Sequence, residues 1–237
     1  MAPSQNDHIV KSYDNELTRL TGEIVRMGEI AVHQIGAAID ALERRDSRNA
    51  ERVVANDDAI DALETEVSHD VLRLLALRHP IARDLREVMA ALRIASDIER
   101  IGDYAANVAK RSIVLNLTAP VAPANRLAAL STIAADMLRD VLQAYQDRDA
   151  DRAKIVRDRD VELDDRYTAL FRELLTYMME EPRTISSCAH LLFMAKNLER
   201  IGDHATNIAE NVWFLVHGKH FSGARTKRDL TTSPHQD

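Results

Sequence analysis

An all-α fold, two tandem antiparallel three-helix bundles related by an internal repeat, is predicted by three observations. Glycine and proline are scarce, 7 and 6 among 237 residues, so turns are few. Aromatic residues make up only 4%, whereas strands favour aromatic and β-branched side chains. Third, the chain aligns with itself. Ala41, Arg45, Asp46, Ala50, Val53, Asp57 and Asp61 meet identical residues 103 positions on, at Ala144, Arg148, Asp149, Ala153, Val156, Asp160 and Asp164. LRIASDIERIGDYAANVA, from Leu92, overlies LFMAKNLERIGDHATNIA, from Leu192, with ten of eighteen positions identical.

The elements follow in order. A first helix is expected from about Asp7 to Arg45. Asp46 or Ser47 suits the N-cap of a second helix running to about Arg78, and Pro80 suits the first turn of a third, continuing to about Asn116. In the second copy one helix starts near Pro123. Another is capped at Asp149 and runs to about Glu180, and a third opens near Pro182. TAPVAPAN, rich in proline and uncharged, separates the copies. The predicted organisation is a first bundle over residues 1–117, a linker over 118–125, a second bundle over 126–218 and a flexible tail over 219–237. Ile94, Ile98, Ile101, Ala105 and Val108 form an apolar seam at steps of four and three, repeated by Met194, Leu198, Ile201, Ala205 and Ile208.

Charge narrows the function classes. The 31 basic and 38 acidic residues are interspersed, with no basic block of the kind that marks a nucleic-acid footprint. No run approaches the roughly 18 apolar residues of a membrane span, and the N-terminus has no basic region followed by an apolar core. Cys188 is the one cysteine, which fits a reducing compartment. A soluble cytoplasmic protein is expected. No glycine-rich phosphate loop, Ser/His/Asp set or paired cysteine is present, so no catalytic constellation is found and an enzyme is not expected.

ERIGD occurs twice, Glu99 to Asp103 and Glu199 to Asp203. Residues four apart on a helix lie about 40° apart around it, so each Glu and Asp share a face. Their mutual repulsion weakens the helix, and a mid-helix glycine costs about 1 kcal/mol against alanine. The second helices carry matching rows, Asp57 with Asp61 and Asp160 with Asp164. If the rows face each other, four carboxylates converge in each bundle. They must then be protonated, matched by arginine or bridged by hard divalent cations such as Mg²⁺, Mn²⁺ or Fe²⁺. A single such pair reads first as a solvated face beside Arg100 or Arg200. The doubling of two different rows, with a glycine placed alike in both copies of ERIGD, is what raises the metal reading. Glu66 and His69 form an ExxH that the second copy lacks, so a di-iron carboxylate site is not supported. Asp97, replaced by Asn197 in the repeat, is either an accessory to the rows or merely exposed, and Met178 with Met179 is expected to pack at a helix end.

The doubled ERIGD, each copy followed by an Asn (Asn107, Asn207), together with TYMMEEPRTI from Thr176, resembles the PhoU family over almost the whole chain. The resemblance implies a cytoplasmic, commonly homodimeric negative regulator of the phosphate regulon. It implies coupling of the phosphate ABC transporter, through its ATPase PstB, to the sensor kinase PhoR, with contact to the membrane only through these partners. In some members of that family the acidic motifs bind metal, including multinuclear iron clusters. Carried over, the ligand set is Asp57, Asp61, Glu99, Asp103, Asp160, Asp164, Glu199 and Asp203. Fe, Mn or Mg are all open. A metal-dependent enzyme using carboxylate-bridged ions, and a helical adaptor that needs no metal, are the alternatives.

Overall fold

A computed structural model describes residues 5–78 and 80–222. Seven α-helices follow one another among them: α1 (Gln5–Glu43), α2 (Ser47–Ala55), α3 (Asp58–Arg78), α4 (Arg83–Leu115), α5 (Arg126–Asp147), α6 (Ala150–Glu180) and α7 (Ile185–His217). Short 3-10 turns at Ala122–Asn125 and Pro182–Thr184 lead into α5 and α7. The expected flexible tail lies, from residue 223 onward, outside the described residues.

The predicted caps are in place. Asp46 accepts from the backbone N–H of Asn49 at 3.0 Å, and its mate Asp149 accepts from that of Arg152 at 2.9 Å. Just before each cap, the mates Arg45 and Arg148 adopt left-handed φ values of 54° and 55°. The N–H groups of Asp46 and Asp149 then reach back to the carbonyls of Ala41 and Ala144, both at 2.9 Å, closing each helix with a Schellman-type turn.

Two boundaries differ from expectation. The second leg of the first bundle is two helices, because Asn56 and Asp57 form a turn where the second copy runs straight through Arg159 and Asp160. Asn56–Asp57–Asp58 offers side chains that compete for backbone donors, whereas Arg159–Asp160–Val161 does not to the same degree. The third helix starts at Arg83 rather than at Pro80, since Ala82 takes a φ of 48° that interrupts the helical path.

The directions of the helices can be read from their contacts. Arg19 of α1 pairs with Asp70 near the end of α3, while Arg45 at the end of α1 reaches the carbonyls that end α4. So α1 runs parallel to α4 and antiparallel to α3. In the second copy Arg152 and Arg159 of α6 meet Asp140 of α5, while Arg157 of α6 meets Glu210 of α7, giving the same up-down-up path.

The two copies are joined along α4 and α7. Asp97 meets His204, Tyr104 meets Arg200, and Arg111 meets His190, so these helices are antiparallel. The repeat mates Tyr104 and His204 touch each other, ring centroids 5.6 Å apart, as mates do only beside a two-fold-like axis. Asp97 thus serves this seam, accepting from Asn207 at 3.4 Å as well as bonding His204 Nδ1 at 2.8 Å. One buried apolar cluster takes in residues from both copies, from Leu17 to Leu215. Among the described residues no helix is long and apolar enough to cross a membrane.

Candidate metal site

Asp57 is brought against α4 and Asp160 against α7, and the glycines show why. A Cβ added at Gly102 would lie 2.8 Å from Ile60 Cδ1 and 3.0 Å from Asp57 Oδ1. At Gly202 it would collide with Leu163, the repeat mate of Ile60, and lie 3.5 Å from Asp160 Oδ1. Each glycine therefore admits an aliphatic side chain of the second leg into the helix surface, bringing an aspartate with it.

In the first bundle the turn at Asn56–Asp57 carries Asp57 inward, while Asp61 lies on the first turn of α3. Burial raises the Asp57 carboxyl to about 6. The charges of Asp103, Asp61 and Glu99 add to this, and Lys110 opposes it. Burial also raises Asp61, with Asp103, Asp58 and Glu64 adding. Glu99 is raised by burial and then by Asp103, while Arg100 pulls it down. Arg100 lies 3.4 Å from Glu99 and 3.2 Å from Asp103, on the solvent side, so the surface-pairing reading holds in part. Inside, Asp57 Oδ1 and both amide atoms of Gln34 are buried with no hydrogen-bond partner.

The second bundle has the same rows but is closed. Asp160, Asp164 and Glu199 are 1%, 1% and 2% exposed. Lys196 donates to Glu199 Oε1 at 2.8 Å, and its ammonium lies 5.0 Å from the centroid of the Tyr167 ring. Thr206 Oγ1 donates to Asp160 Oδ1 at 3.5 Å. A protein cation stands here, whereas the first bundle has Ser96 at the position equivalent to Lys196.

Whether a divalent ion suits these residues can be judged from the donors themselves. The raised carboxyls of Asp57, Asp61 and Glu99 beside the charge of Asp103, a buried oxygen without a donor and an unpartnered amide form a hard, oxygen-rich set, so the first bundle fits in chemistry. Among the described residues, no three His, Cys, Asp or Glu side chains are gathered as one ligand shell. The second bundle fits less well, because Lys196 already offsets part of its charge.

Sequence reasoning missed Gln34, Lys110, Lys196 and Thr206. Gln34 had a visible signal, being a lone amide in the apolar stripe of Met27, Ala31, Ile35 and Ala38 on α1. Lys196 stands three residues before Glu199 at a point where the repeat breaks. Glu66 and His69 are exposed, in keeping with an incidental ExxH. Met178 packs against the core, but Met179 is 83% exposed.

A family profile described as the PhoU domain matches residues 24–112 and 127–212. A phosphate-specific transport system accessory protein PhoU homolog of Xylella fastidiosa is 61% identical over 237 residues, all of both chains. One from Caulobacter vibrioides is 48% identical over 225 residues, 94% of this chain and 98% of that one. The crystal structure of PhoU from Pseudomonas aeruginosa superposes with a TM-score of 0.84 at 37% identity, covering 87% of this chain and 100% of that one. The crystal structure of the phosphate transport system regulatory protein PhoU from Streptococcus pneumoniae gives 0.82 at 28% identity, covering 89% and 99%.

Proposed function

The chain belongs to the PhoU family, and we propose that it acts as an accessory regulator of a phosphate transport system. The observation that carries this reading is similarity to proteins of that description, at 61% identity over 237 residues. In this reading it is a homodimeric negative regulator of the phosphate regulon in the cytoplasm. It joins the transporter's ATPase, PstB, to the sensor kinase PhoR. The long helix faces supply a broad surface for two partners, which a regulator of this kind needs more than a reaction centre. Co-purification of the tagged full chain with each partner at high and low phosphate tests the assignment. Association with both partners that changes with phosphate is expected. Failure to bind either partner at any phosphate level overturns it.

The same reading includes divalent-metal binding. In the first bundle Asp57, Asp61, Glu99 and Asp103 would hold the ion, and Asp160, Asp164, Glu199 and Asp203 are the corresponding set in the second. A bound cation supplies positive charge that offsets the mutual repulsion of these carboxylates. The chain's own part is to hold the α2–α3 turn against α4, through Ile60 seated on Gly102. Metal content and melting temperature of Asp103→Ala combined with Asp203→Ala test it. Loss of metal with a lowered melting temperature is expected, and unchanged values would sink the metal reading while leaving the adaptor reading intact.

A further inference from the structure

Two cavities in this molecule are repeat mates. One, of about 600 Å³, lies between α1, α4, α5 and the end of α7; the other, of about 350 Å³, lies under the 118–125 linker. Tyr145, Arg148 and Leu215 line the first where Leu42, Arg45 and Leu115 line the second, at the repeat offsets of 103 and 100. The linker cavity is largely apolar, and its arginine is fully engaged. Arg45 donates to the carbonyls of Asn116 at 2.7 Å and Thr118 at 2.6 Å, capping α4.

The other copy diverges. Arg148 leaves the end of α7 and pairs with Glu87 at 2.9 Å, and Arg83 pairs with the same carboxylate at 3.3 Å. Arg86 lies against Gly218, yet its Nε is buried with no hydrogen-bond partner, and no ion pair joins Arg86 to a described residue. These groups surround a chamber of about 250 Å³ lined by Arg83, Arg86, Glu87, Arg148, Leu215 and Val216, four of which it shares with the larger cavity. Three guanidiniums against one carboxylate leave two positive charges. Asp14 and Asp84 line only the larger cavity. Were Arg86 simply the cap of α7, it would bond terminal carbonyls as Arg45 does on α4.

We propose that this chamber is an oxyanion site for inorganic phosphate. Hydrogen phosphate carries the complementary double charge, and its tetrahedral oxygens suit several guanidinium forks at once. Glu87 ties Arg83 and Arg148 in place. The site is separate from the acidic rows and goes beyond the regulatory reading above.

The test is calorimetric titration of the full chain with inorganic phosphate in the presence of a chelator, so that metal-bridged binding at the acidic rows cannot contribute. Saturable binding is expected, weakened about tenfold or more in Arg86→Gln and in Arg83→Gln, the loss of a charged hydrogen bond. Far-ultraviolet circular dichroism establishes that both variants are folded. Absence of saturable phosphate binding overturns the proposal, as does binding that neither variant alters. ATP, whose terminal phosphate has the same chemistry, is expected to bind more weakly than phosphate. Tighter binding of ATP would move the chamber to a nucleotide and overturn the assignment to free phosphate.

Discussion

Asp57 concentrates the conflict in the first bundle. Its carboxyl sits at about 6 in the folded protein against 3.8 for the free group, chiefly through burial. Between these values the folded protein keeps a proton that the unfolded chain has lost. This contribution is therefore complete below about pH 4 and is lost as pH rises through 6. In chelated protein, Asp57→Asn should remove that fall and stabilise at pH 7.5 by about 1 kcal/mol after solvent screening, with no gain at pH 3.5. Urea unfolding at the two pH values checks it. Excess divalent metal should reverse the ranking, because wild type then has a partner for the charge. The glycine beside it makes a second prediction. Alanine at position 102 gains helix propensity but meets Ile60 Cδ1 at 2.8 Å, so Gly102→Ala should destabilise by about 1 to 3 kcal/mol. Ile60→Val in the same chain should recover part of that loss, which a double-mutant cycle measures. The pairing of acidic residues was legible from spacing alone. That the glycine admits an aliphatic neighbour was not, because Ile60 and Leu163 look like ordinary core positions until the helices cross.

Among elements, the clearest lesson lies in the two second legs. Asp46 and Asp149 were readable as caps because each precedes an apolar rhythm and can accept from the backbone N–H of the third residue on. Asp149→Ala should cost about 1 kcal/mol, and Asp149→Asn much less, by thermal or urea unfolding. The break at Asn56–Asp57 was hidden, since Val53, Ile60 and Val67 keep a step of seven across it. Apolar spacing reports which face is buried, and a turn of this size does not disturb it. The turn matters to the site all the same. It is the feature that separates an open acidic row beside Asp57 from the closed one beside Asp160, where α6 runs on and Lys196 takes up charge.

At the scale of the whole molecule, tandem duplication announced two bundles but not how they meet. Buried small residues of α4 and α7, such as Ala105 and Ala205, are types that suit a bundle interior and an α4–α7 seam alike, so pattern alone cannot assign them to one partner or the other. The structure puts α4 against α7 and α1 against α5, with a buried cluster running through both copies. A shared core of this kind should unfold as one unit, whereas two bundles joined only by the 118–125 linker would unfold separately. Trp213, the one tryptophan, sits on α7 and reports the second copy, while helical circular dichroism reports both. The two signals should therefore trace coincident urea transitions. Gly102→Ala, which lies in the first copy, should shift the Trp213 transition as far as it shifts the circular dichroism. A Trp213 transition left in place by Gly102→Ala would mean that the seam transmits little, and the regulator would then present two independent bundles to its partners.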